Sequence, residues 1–192
     1  MKINAVKTLN KIKKTLHDSG DFKSRSVQFF DTEIVVCYIA DLTDNCLLNQ
    51  FLINPICEFD GKKSNDLIEL LQNQVLANSE ISECTSVEQA IEKMLSGNSL
   101  VLVDGSNKIL ACNTEKIVVR AIAEPPTSVV IKGPREGFNE SLKYNLNLVR
   151  RRVKTDELVV KTIEIGKLTK TQVAVVYLNS VADKQVVKHI LK

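Results

Sequence analysis

The stretch Val129–Arg152 reads VVIKGPREGFNESLKYNLNLVRRR. Its apolar start is typical of a strand, and Lys132-Gly133-Pro134 breaks that strand. Apolar side chains then recur at helical spacing, which predicts a helix over Glu140–Val153 that ends in three arginines. No other segment of the chain joins a strand, a turn, a helix start and a charge cluster in so few residues.

The expected helix has one apolar face, made of Leu142, Leu146, Val149 and Val153. Arg150 and Arg152 flank that stripe on opposite sides, and Arg151 points away from it. The three arginines are therefore not expected to bind the same ligand together. Tyr144 and Leu148 form a second apolar edge, which is either a helix contact inside the domain or part of a protein interface.

Two basic residues, Lys132 and Arg135, precede the helix start, where free N–H groups and the helix dipole favour an anion. Glu136 and Glu140 already supply negative charge there. Local ion pairs that shape the turn are therefore favoured over a bound anion.

Charge divides the chain into two parts. Residues 1–125 carry 13 basic and 17 acidic side chains, whereas residues 126–192 carry 13 basic and 6 acidic ones. The change falls at Glu124-Pro125-Pro126, a stiff linker because proline fixes φ and disfavours helix in the residue before it. The sequence therefore predicts two subdomains, residues 1–123 and residues 124–192.

Periodicity predicts the elements of each subdomain. The first is expected to hold a helix over Lys2–Ser19, strands over Lys23–Phe30 and Glu33–Ala40, helices from Asp44, Ser64 and Ser86, and strands over Leu100–Val103, Lys108–Cys112 and Ile117–Arg120. The second is expected to hold a strand at Val129–Ile131, the helix Glu140–Val153, strands Leu158–Ile165 and Gln172–Leu178, and a helix Asp183–Leu191. Pro55 should end or bend the helix that Asp44 begins.

Two apolar runs, IVVCYIA within Glu33–Ala40 and VAVVYL at Val173–Leu178, predict central strands because both of their faces are apolar. The expected fold class is α/β in the mixed α+β sense, with two small subdomains that each pack helices on a mixed sheet.

Catalytic chemistry is not expected. The five cysteines are odd in number and form no C-x-x-C pair, which favours free thiols in a reducing compartment. His17 and His189 have no cysteine or histidine at ligand spacing, and no phosphate-loop or nucleophile motif is present. The sequence thus predicts no catalytic residues, no metal, no cofactor and no enzyme. Nucleic-acid binding is disfavoured because no aromatic residues interleave the basic ones.

The chain contains no stretch of the roughly 20 apolar residues that cross a bilayer, which predicts a soluble domain. The last amphipathic pattern still continues at Leu191, so a fragment of a longer protein is expected.

A family resemblance lies in the opening stretch. The sequence Lys132-Gly133-Pro134-Arg135-Glu136-Gly137-Phe138, followed by Glu140, Asn145-Leu146 and Arg150-Arg151-Arg152, resembles the signature of the A-subunit family of bacterial spore germinant receptors (GerA type). Upstream, the family pattern is matched by Leu95-Ser96-Gly97, by Leu100-Val101-Leu102-Val103-Asp104-Gly105, and by Arg120 followed by Glu124-Pro125.

The resemblance implies a soluble N-terminal domain of a protein of the inner spore membrane, placed in a reducing, cytoplasm-like environment. It implies a role in nutrient-triggered germination through subunit assembly and signal transmission, with a B subunit, a C subunit and other A copies as partners. A germinant-binding module with a site between the subdomains is the alternative, and a nucleic-acid-binding domain is less favoured. The motif residues and the second edge then become candidate interaction residues: Lys132, Gly133, Pro134, Arg135, Glu136, Gly137, Phe138, Tyr144, Leu148, Arg150, Arg151 and Arg152.

Overall fold

The computed structural model describes residues 3–117 and 137–191. The first range, here the N-terminal segment, holds α1 (Ala5–Thr15), β1 (Phe22–Phe29), β2 (Thr32–Ile39), α2 (Asn45–Leu48), α3 (Asn54–Glu58), α4 (Leu67–Leu70), β3 (Ile81–Cys84), α5 (Val87–Leu95), β4 (Asn98–Val103) and β5 (Ile109–Asn113). The second range, here the C-terminal segment, holds α6 (Leu142–Arg152), β6 (Leu158–Ile165), β7 (Thr171–Leu178) and α7 (Lys184–Ile190). Helices and sheets occur in both, which confirms the expected mixed α/β class.

The N-terminal segment is built on a five-stranded antiparallel sheet with the order β1-β2-β4-β5-β3. Strand β2 lies inside this sheet, as its apolar run predicted. Its side chains alternate, so Ile34 and Val36 face one core while Val35, Cys37 and Ile39 face the other. Both sheet faces are therefore buried.

Helices cover the two faces of this sheet. Helices α1 and α5 pack on one face through buried side chains that include Ile12, Leu16, Ala90 and Met94. Helices α2, α3 and α4 cover the other face, together with the π-helical turns Asn49–Ile53 and Leu71–Val75. The result is a three-layer arrangement with the sheet in the middle.

Side-chain caps fix the helix starts. Asp44 accepts hydrogen bonds from the N–H groups of Cys46 and Leu47, and Ser86 caps α5, as the sequence predicted. The helix expected from Ser64 begins instead after Asp66, whose carboxylate caps α4.

The structure departs from local expectation at two places. The helical path does not end at Pro55 but runs on to Glu58: the π-helical turn Asn49–Ile53 leads into α3, and Pro55 lies in the first turn of that helix, where proline is tolerated. Strand β3 was not expected, since its four residues, Ile81–Cys84, form no apolar run. It pairs with β5 at the sheet edge.

The C-terminal segment contains a long antiparallel hairpin. Leu158 of β6 pairs with Leu178 of β7, and the register continues to the pair Ile165–Thr171. Within the described ranges β7 pairs with β6 alone, so a central position for the VAVVYL run is not observed there. Its residues Val173–Leu178 are half-buried rather than buried.

Several predictions lie outside the described residues. These are the strand Val129–Ile131, most of the strand Ile117–Arg120, and the subdomain boundary at 123/124. Within the described residues, the helices are all too short or too polar to cross a membrane.

The five cysteines are free thiols. Cys37, Cys84 and Cys112 are buried in the sheet, whereas Cys46 and Cys57 are exposed. Burial raises the pKa of the Cys37 thiol and of the Cys112 thiol to about 12.

Candidate functional site

Helix α6 carries the arginine cluster into contact with the N-terminal segment. The Ser141 hydroxyl caps its start by accepting from the Tyr144 N–H. Just before it, the Asn145 side chain holds Asn139 by accepting from its N–H at 2.8 Å and donating to its carbonyl at 2.7 Å. Three arginines in the last turn suit the negative end of the helix dipole. The local sequence thus favours a helix at this position.

The face that α6 buries differs from the expected one. Its buried residues are Leu146, Asn147, Leu148 and Arg150. Arg150, which was expected beside the apolar stripe, is only 1% exposed. Polar side chains turn inward here because the N-terminal segment supplies their hydrogen-bond partners.

Arg150 forms a two-pronged ion pair with Asp21, which lies just before β1. Arg150 Nε donates to Asp21 Oδ2 at 2.7 Å, and Arg150 Nη2 donates to Asp21 Oδ1 at 2.9 Å. The two side chains are 129 positions apart in sequence and both are buried. Arginine forms this planar, two-pronged geometry with a carboxylate, and lysine cannot reproduce it.

Ser19 completes the cluster. Its hydroxyl donates to Asp21 Oδ1 at 2.7 Å and accepts from Arg150 Nη2 at 3.0 Å. It also accepts from the Val160 N–H of β6 at 2.8 Å. One hydroxyl therefore joins the N-terminal segment to both α6 and β6.

Gly20 brings the two backbones together. Its N–H donates to the Val160 carbonyl at 2.7 Å. A Cβ atom at Gly20 would lie 3.0 Å from that same carbonyl oxygen, closer than side chains normally approach. Glycine therefore fits this close contact without a shift of the Val160 carbonyl.

Further contacts extend along the boundary. The Asn147 amide donates to the Asp41 carbonyl at 2.7 Å, and Lys161 donates to the Asp18 carbonyl at 2.7 Å. His17 Nε2 lies 3.1 Å from Glu157 Oε1. We call this boundary the Arg150 seam and define it by Ser19, Asp21, Asp41, Asn147, Arg150 and Val160.

The pKa of the Asp41 carboxyl group departs strongly from its ordinary value. Burial, followed by the nearby charge of Asp21, raises the pKa of Asp41 to about 6. Arg150, Lys116 and Lys143 partly oppose this rise. The Asp41 carboxyl therefore changes its charge near neutral pH.

The seam is less completely hydrogen-bonded than the sheet core. Among the described residues, four buried side-chain atoms have no hydrogen-bond partner: Thr43 Oγ1, Asn147 Oδ1, Arg150 Nη1 and Glu157 Oε2. Asn147 and Arg150 belong to the seam, Glu157 contacts His17 across the same boundary, and Thr43 lies two positions from Asp41. A buried unpaired polar group costs about 1–3 kcal/mol. These four atoms therefore offset part of the stability that the ion pair and hydrogen bonds give to the boundary.

The remaining candidate residues lie in different places. Five of them, Lys132, Gly133, Pro134, Arg135 and Glu136, fall outside the described residues. Gly137 and Phe138 are exposed in the loop before α6.

The other candidates lie on α6 itself. Leu148 is buried, which identifies it as an internal contact, and Tyr144 is half-buried. Arg151 is partly exposed and Arg152 is exposed. Of the three arginines, Arg150 is the one whose side chain is buried, and it lies in the seam.

Sequence reasoning missed the partners of Arg150. Ser19 and Asp21 follow the end of α1, where they look like ordinary loop residues. Asp41 and Asn147 carry no motif either. Their roles depend on contacts between distant parts of the chain, and local sequence patterns do not predict such contacts.

The fold and the seam define a class of protein, a helix-covered antiparallel sheet joined through a buried ion pair to a second α/β element. A family model described as "Bacillus/Clostridium GerA spore germination protein" matches residues 10–192. The chain belongs to this GerA family.

Individual relatives agree with the family assignment. The chain is 34% identical over 188 residues to spore germination protein B1 of Bacillus subtilis, and the match covers 96% of this chain and 38% of that protein. It is 29% identical over 187 residues to spore germination protein KA of Bacillus subtilis, covering 96% of this chain and 34% of the relative. The chain thus spans little more than a third of the length of these relatives.

A solved structure shares the fold. The crystal structure of the N-terminal domain of the A subunit of the Bacillus megaterium spore germinant receptor GerK3 matches with a TM-score of 0.73 and 24% identity. The match covers 100% of this chain and 71% of that one.

Proposed function

We propose that this chain is the N-terminal region of the A subunit of a spore germinant receptor and acts in nutrient-triggered germination. Its role there is to assemble with other subunits and to transmit a signal, not to catalyse a reaction. The family match over residues 10–192 and the fold shared with the GerK3 domain support this proposal. The comparisons do not favour the germinant-binding alternative.

The observation that carries the mechanism is the Arg150 seam. A signal passes through a protein when two arrangements of its parts exchange and a partner binds one of them better. The seam joins the two segments by a few directional polar contacts, whereas the N-terminal segment has its own apolar core. Breaking the seam therefore permits a change between the segments without unfolding that core.

The subunit context follows from the same proposal. The full-length protein lies in the inner spore membrane, and this region faces a reducing, cytoplasm-like compartment. Its partners are the B and C subunits of the receptor and other A copies. The side of α6 that we assign to these contacts carries the partly exposed Arg151.

The test separates folding from signalling with a double variant. Replacing Arg150 alone leaves Asp21 buried and unpaired, but replacing both with apolar residues of similar volume is often neutral for stability. We therefore expect Asp21→Leu with Arg150→Met to fold and to accumulate in spores, while it slows the germination response to nutrients.

Two measurements decide the outcome. Thermal unfolding of the chain and immunoblotting of spores establish that the double variant is folded and present. Loss of optical density after nutrient addition then reports germination. Spores that hold normal amounts of the folded double variant and germinate at the wild-type rate would exclude the seam from signal transmission.

A further inference from the structure

Helix α1 ends in a turn that usually contains glycine. The His17 N–H donates to the Lys14 carbonyl and the Asp18 N–H donates to the Lys13 carbonyl, both at 3.0 Å. These two bonds form a Schellman motif, in which the residue after the helix is left-handed and is most often glycine. In this chain that residue is His17, with a φ of 52°, and Asp18 follows with the same φ.

The helix that it ends does not explain the histidine. A Cβ atom disfavours the left-handed conformation, which glycine adopts without this penalty. A glycine at position 17 would therefore suit α1 better than histidine does. Residues in such conformations persist where the surrounding structure holds them, and they are frequent at switch regions. The imidazole of His17 must therefore be explained by its own contacts.

The imidazole reaches across the boundary between the two segments. His17 Nε2 lies 3.1 Å from Glu157 Oε1, and the two side chains are 30% and 35% exposed. Glu157 directly precedes β6 of the C-terminal segment. The pair is thus close enough for a hydrogen bond and still open to protons from the solvent.

The His17–Glu157 pair begins a continuous run of contacts across this boundary. Lys161 of β6 donates to the carbonyl of Asp18, the next residue. Ser19 accepts from the Val160 N–H, and the Gly20 N–H donates to the Val160 carbonyl. The buried ion pair of the seam follows at the residue after Gly20. His17 therefore lies at one end of the contacts that hold the two segments together.

Protonation decides how well His17 binds Glu157. Histidine ordinarily changes its charge between pH 5 and 8. The imidazolium ring has a proton on both nitrogens, so Nε2 donates a charge-assisted hydrogen bond to the carboxylate. A neutral ring with its proton on Nδ1 would instead place two acceptors 3.1 Å apart. The hydrogen bond from His17 lowers the pKa of Glu157, which keeps the carboxylate ionised in this pH range.

Other charged groups surround the pair. Lys13 lies 3.8 Å from the Asp18 carboxylate and Lys161 donates to the Asp18 carbonyl, so these two lysines have partners of their own. Asp41 is a further seam group whose charge changes near neutral pH, and a test of His17 has to exclude its contribution. The charged groups on the neighbouring elements are Lys13, Lys14, Asp18, Asp156, Lys161 and the Asp21–Arg150 pair.

We propose that the His17–Glu157 pair is a proton-sensitive contact, which tightens the Arg150 seam when the imidazole is charged and loosens it when the imidazole is neutral. The inference rests on the proposed function for its biological meaning, since it makes pH a regulator of the exchange between the two arrangements. Its test measures the chain alone. A negative result would therefore leave the proposed role in germination standing.

Amide exchange of the chain, read by NMR at pH 5.5 and 7.5, tests the proposal. Asp41→Asn is present throughout, so that Asp41 does not contribute. Protection factors, which are corrected for the intrinsic effect of pH on exchange, report opening at the Gly20 and Val160 amides. Both factors are expected to fall about fivefold as the pH rises, because a partly exposed ion pair is lost. Constant protection overturns the proposal.

The Val36 amide in the middle of the sheet is the reference for unfolding of the whole N-terminal segment. Its protection is expected to change less than that of the two seam amides. An equal fall at Val36 would assign the pH dependence to unfolding of the sheet and would also overturn the proposal.

Three variants assign the pH dependence to this pair. His17→Gly should maintain or raise protection of the Leu16 amide at the end of α1, because glycine suits the left-handed turn. It should nevertheless abolish the pH dependence at the two seam amides. Glu157→Gln keeps the shape of the side chain without its charge and should abolish it as well. His189→Gln, on the exposed side of α7, is the matched control and should keep the fivefold change.

A purely structural role for His17 gives a different result. The seam amides would then keep their pH dependence in the His17→Gly variant, and that outcome excludes the proposed contact. Loss of the pH dependence in the His189→Gln control excludes it too, because the titrating group is then His189.

Discussion

The N-terminal segment and the Arg150 seam are held together by different physical forces. In the N-terminal segment, side chains of β2 and β4 alternate between two apolar cores, and helices close both. At the seam, an ion pair between residues 129 positions apart, a shared hydroxyl and a close backbone contact join distant parts of the chain. The apolar contacts of the core are closely packed but not directional. Directional polar contacts hold one geometry and lose most of their energy when it changes, so the seam favours discrete arrangements.

The largest expected effect comes from breaking the ion pair on one side. Arg150→Met leaves the Asp21 carboxylate buried without its partner, which should lower the free energy of unfolding by about 4 kcal/mol. Denaturant unfolding measures this loss. Asp21→Leu with Arg150→Met should recover most of it, and a double variant as unstable as the single one would contradict the assignment.

A core substitution should have a slightly smaller effect. Leu100 of β4 is fully buried, so Leu100→Ala is expected to cost about 3 kcal/mol through lost burial and the cavity left behind. The denaturant midpoint should fall with an unchanged slope. Leu168→Ala is the matched control, because Leu168 is 98% exposed and should contribute less than about 0.5 kcal/mol.

The charge of Asp41 should give the seam a pH dependence. Its pKa is about 6 in the folded chain against an ordinary value of 3.8, so the folded state takes up a proton at a higher pH than the unfolded state. Stability should therefore rise as the pH falls from 7 through 6 toward 4, and the ionised carboxylate is a cost at neutral pH.

Asp41→Asn removes that cost. The variant should be more stable at pH 7 by about 1 kcal/mol, a value reduced for the partial exposure of the carboxyl group. The unfolding free energy of the variant should also rise less than that of the wild type when the pH is lowered from 7 to 4, because its asparagine side chain takes up no proton. Parallel stability curves for the two proteins between pH 4 and 7 would assign the dependence to other groups.

The smallest effect on stability is expected at the surface of α6. Arg151→Glu should change the free energy of unfolding by less than about 0.5 kcal/mol, since the side chain is partly exposed. In spores it should block the nutrient response if α6 contacts partner subunits. Lys167→Glu makes the same charge change on the exposed hairpin turn and should leave germination intact. If Arg151→Glu unfolds the chain, its role is structural.

Local chemistry made much of the N-terminal segment predictable. The caps at Asp44 and Ser86 and the two-sided apolar run of β2 are signals contained within a few residues. Strand β3 escaped prediction because a four-residue edge strand needs no apolar run. Pairing with β5 is what fixes it.

The seam could not be predicted in the same way. Helical geometry places Arg150 beside the apolar stripe, and the usual cost of burying a charge then argues for a surface position. Asp21 and Ser19 reverse that argument, but only after the chain has brought them within 3.0 Å of Arg150. Local periodicity cannot predict an ion-pair partner that lies 129 positions away in the sequence.

The positions of the five cysteines allow local unfolding of the N-terminal segment to be measured by thiol labelling. Cys46 and Cys57 are open to a maleimide reagent, whereas Cys37, Cys84 and Cys112 lie inside the sheet with their ionisation suppressed by burial. Because the thiolate is the reactive form, two cysteines should be labelled at once and three only when the sheet opens. Mass spectrometry of the slow labelling phase would then measure the rate at which the sheet of the N-terminal segment opens, with the cysteines that the chain already contains.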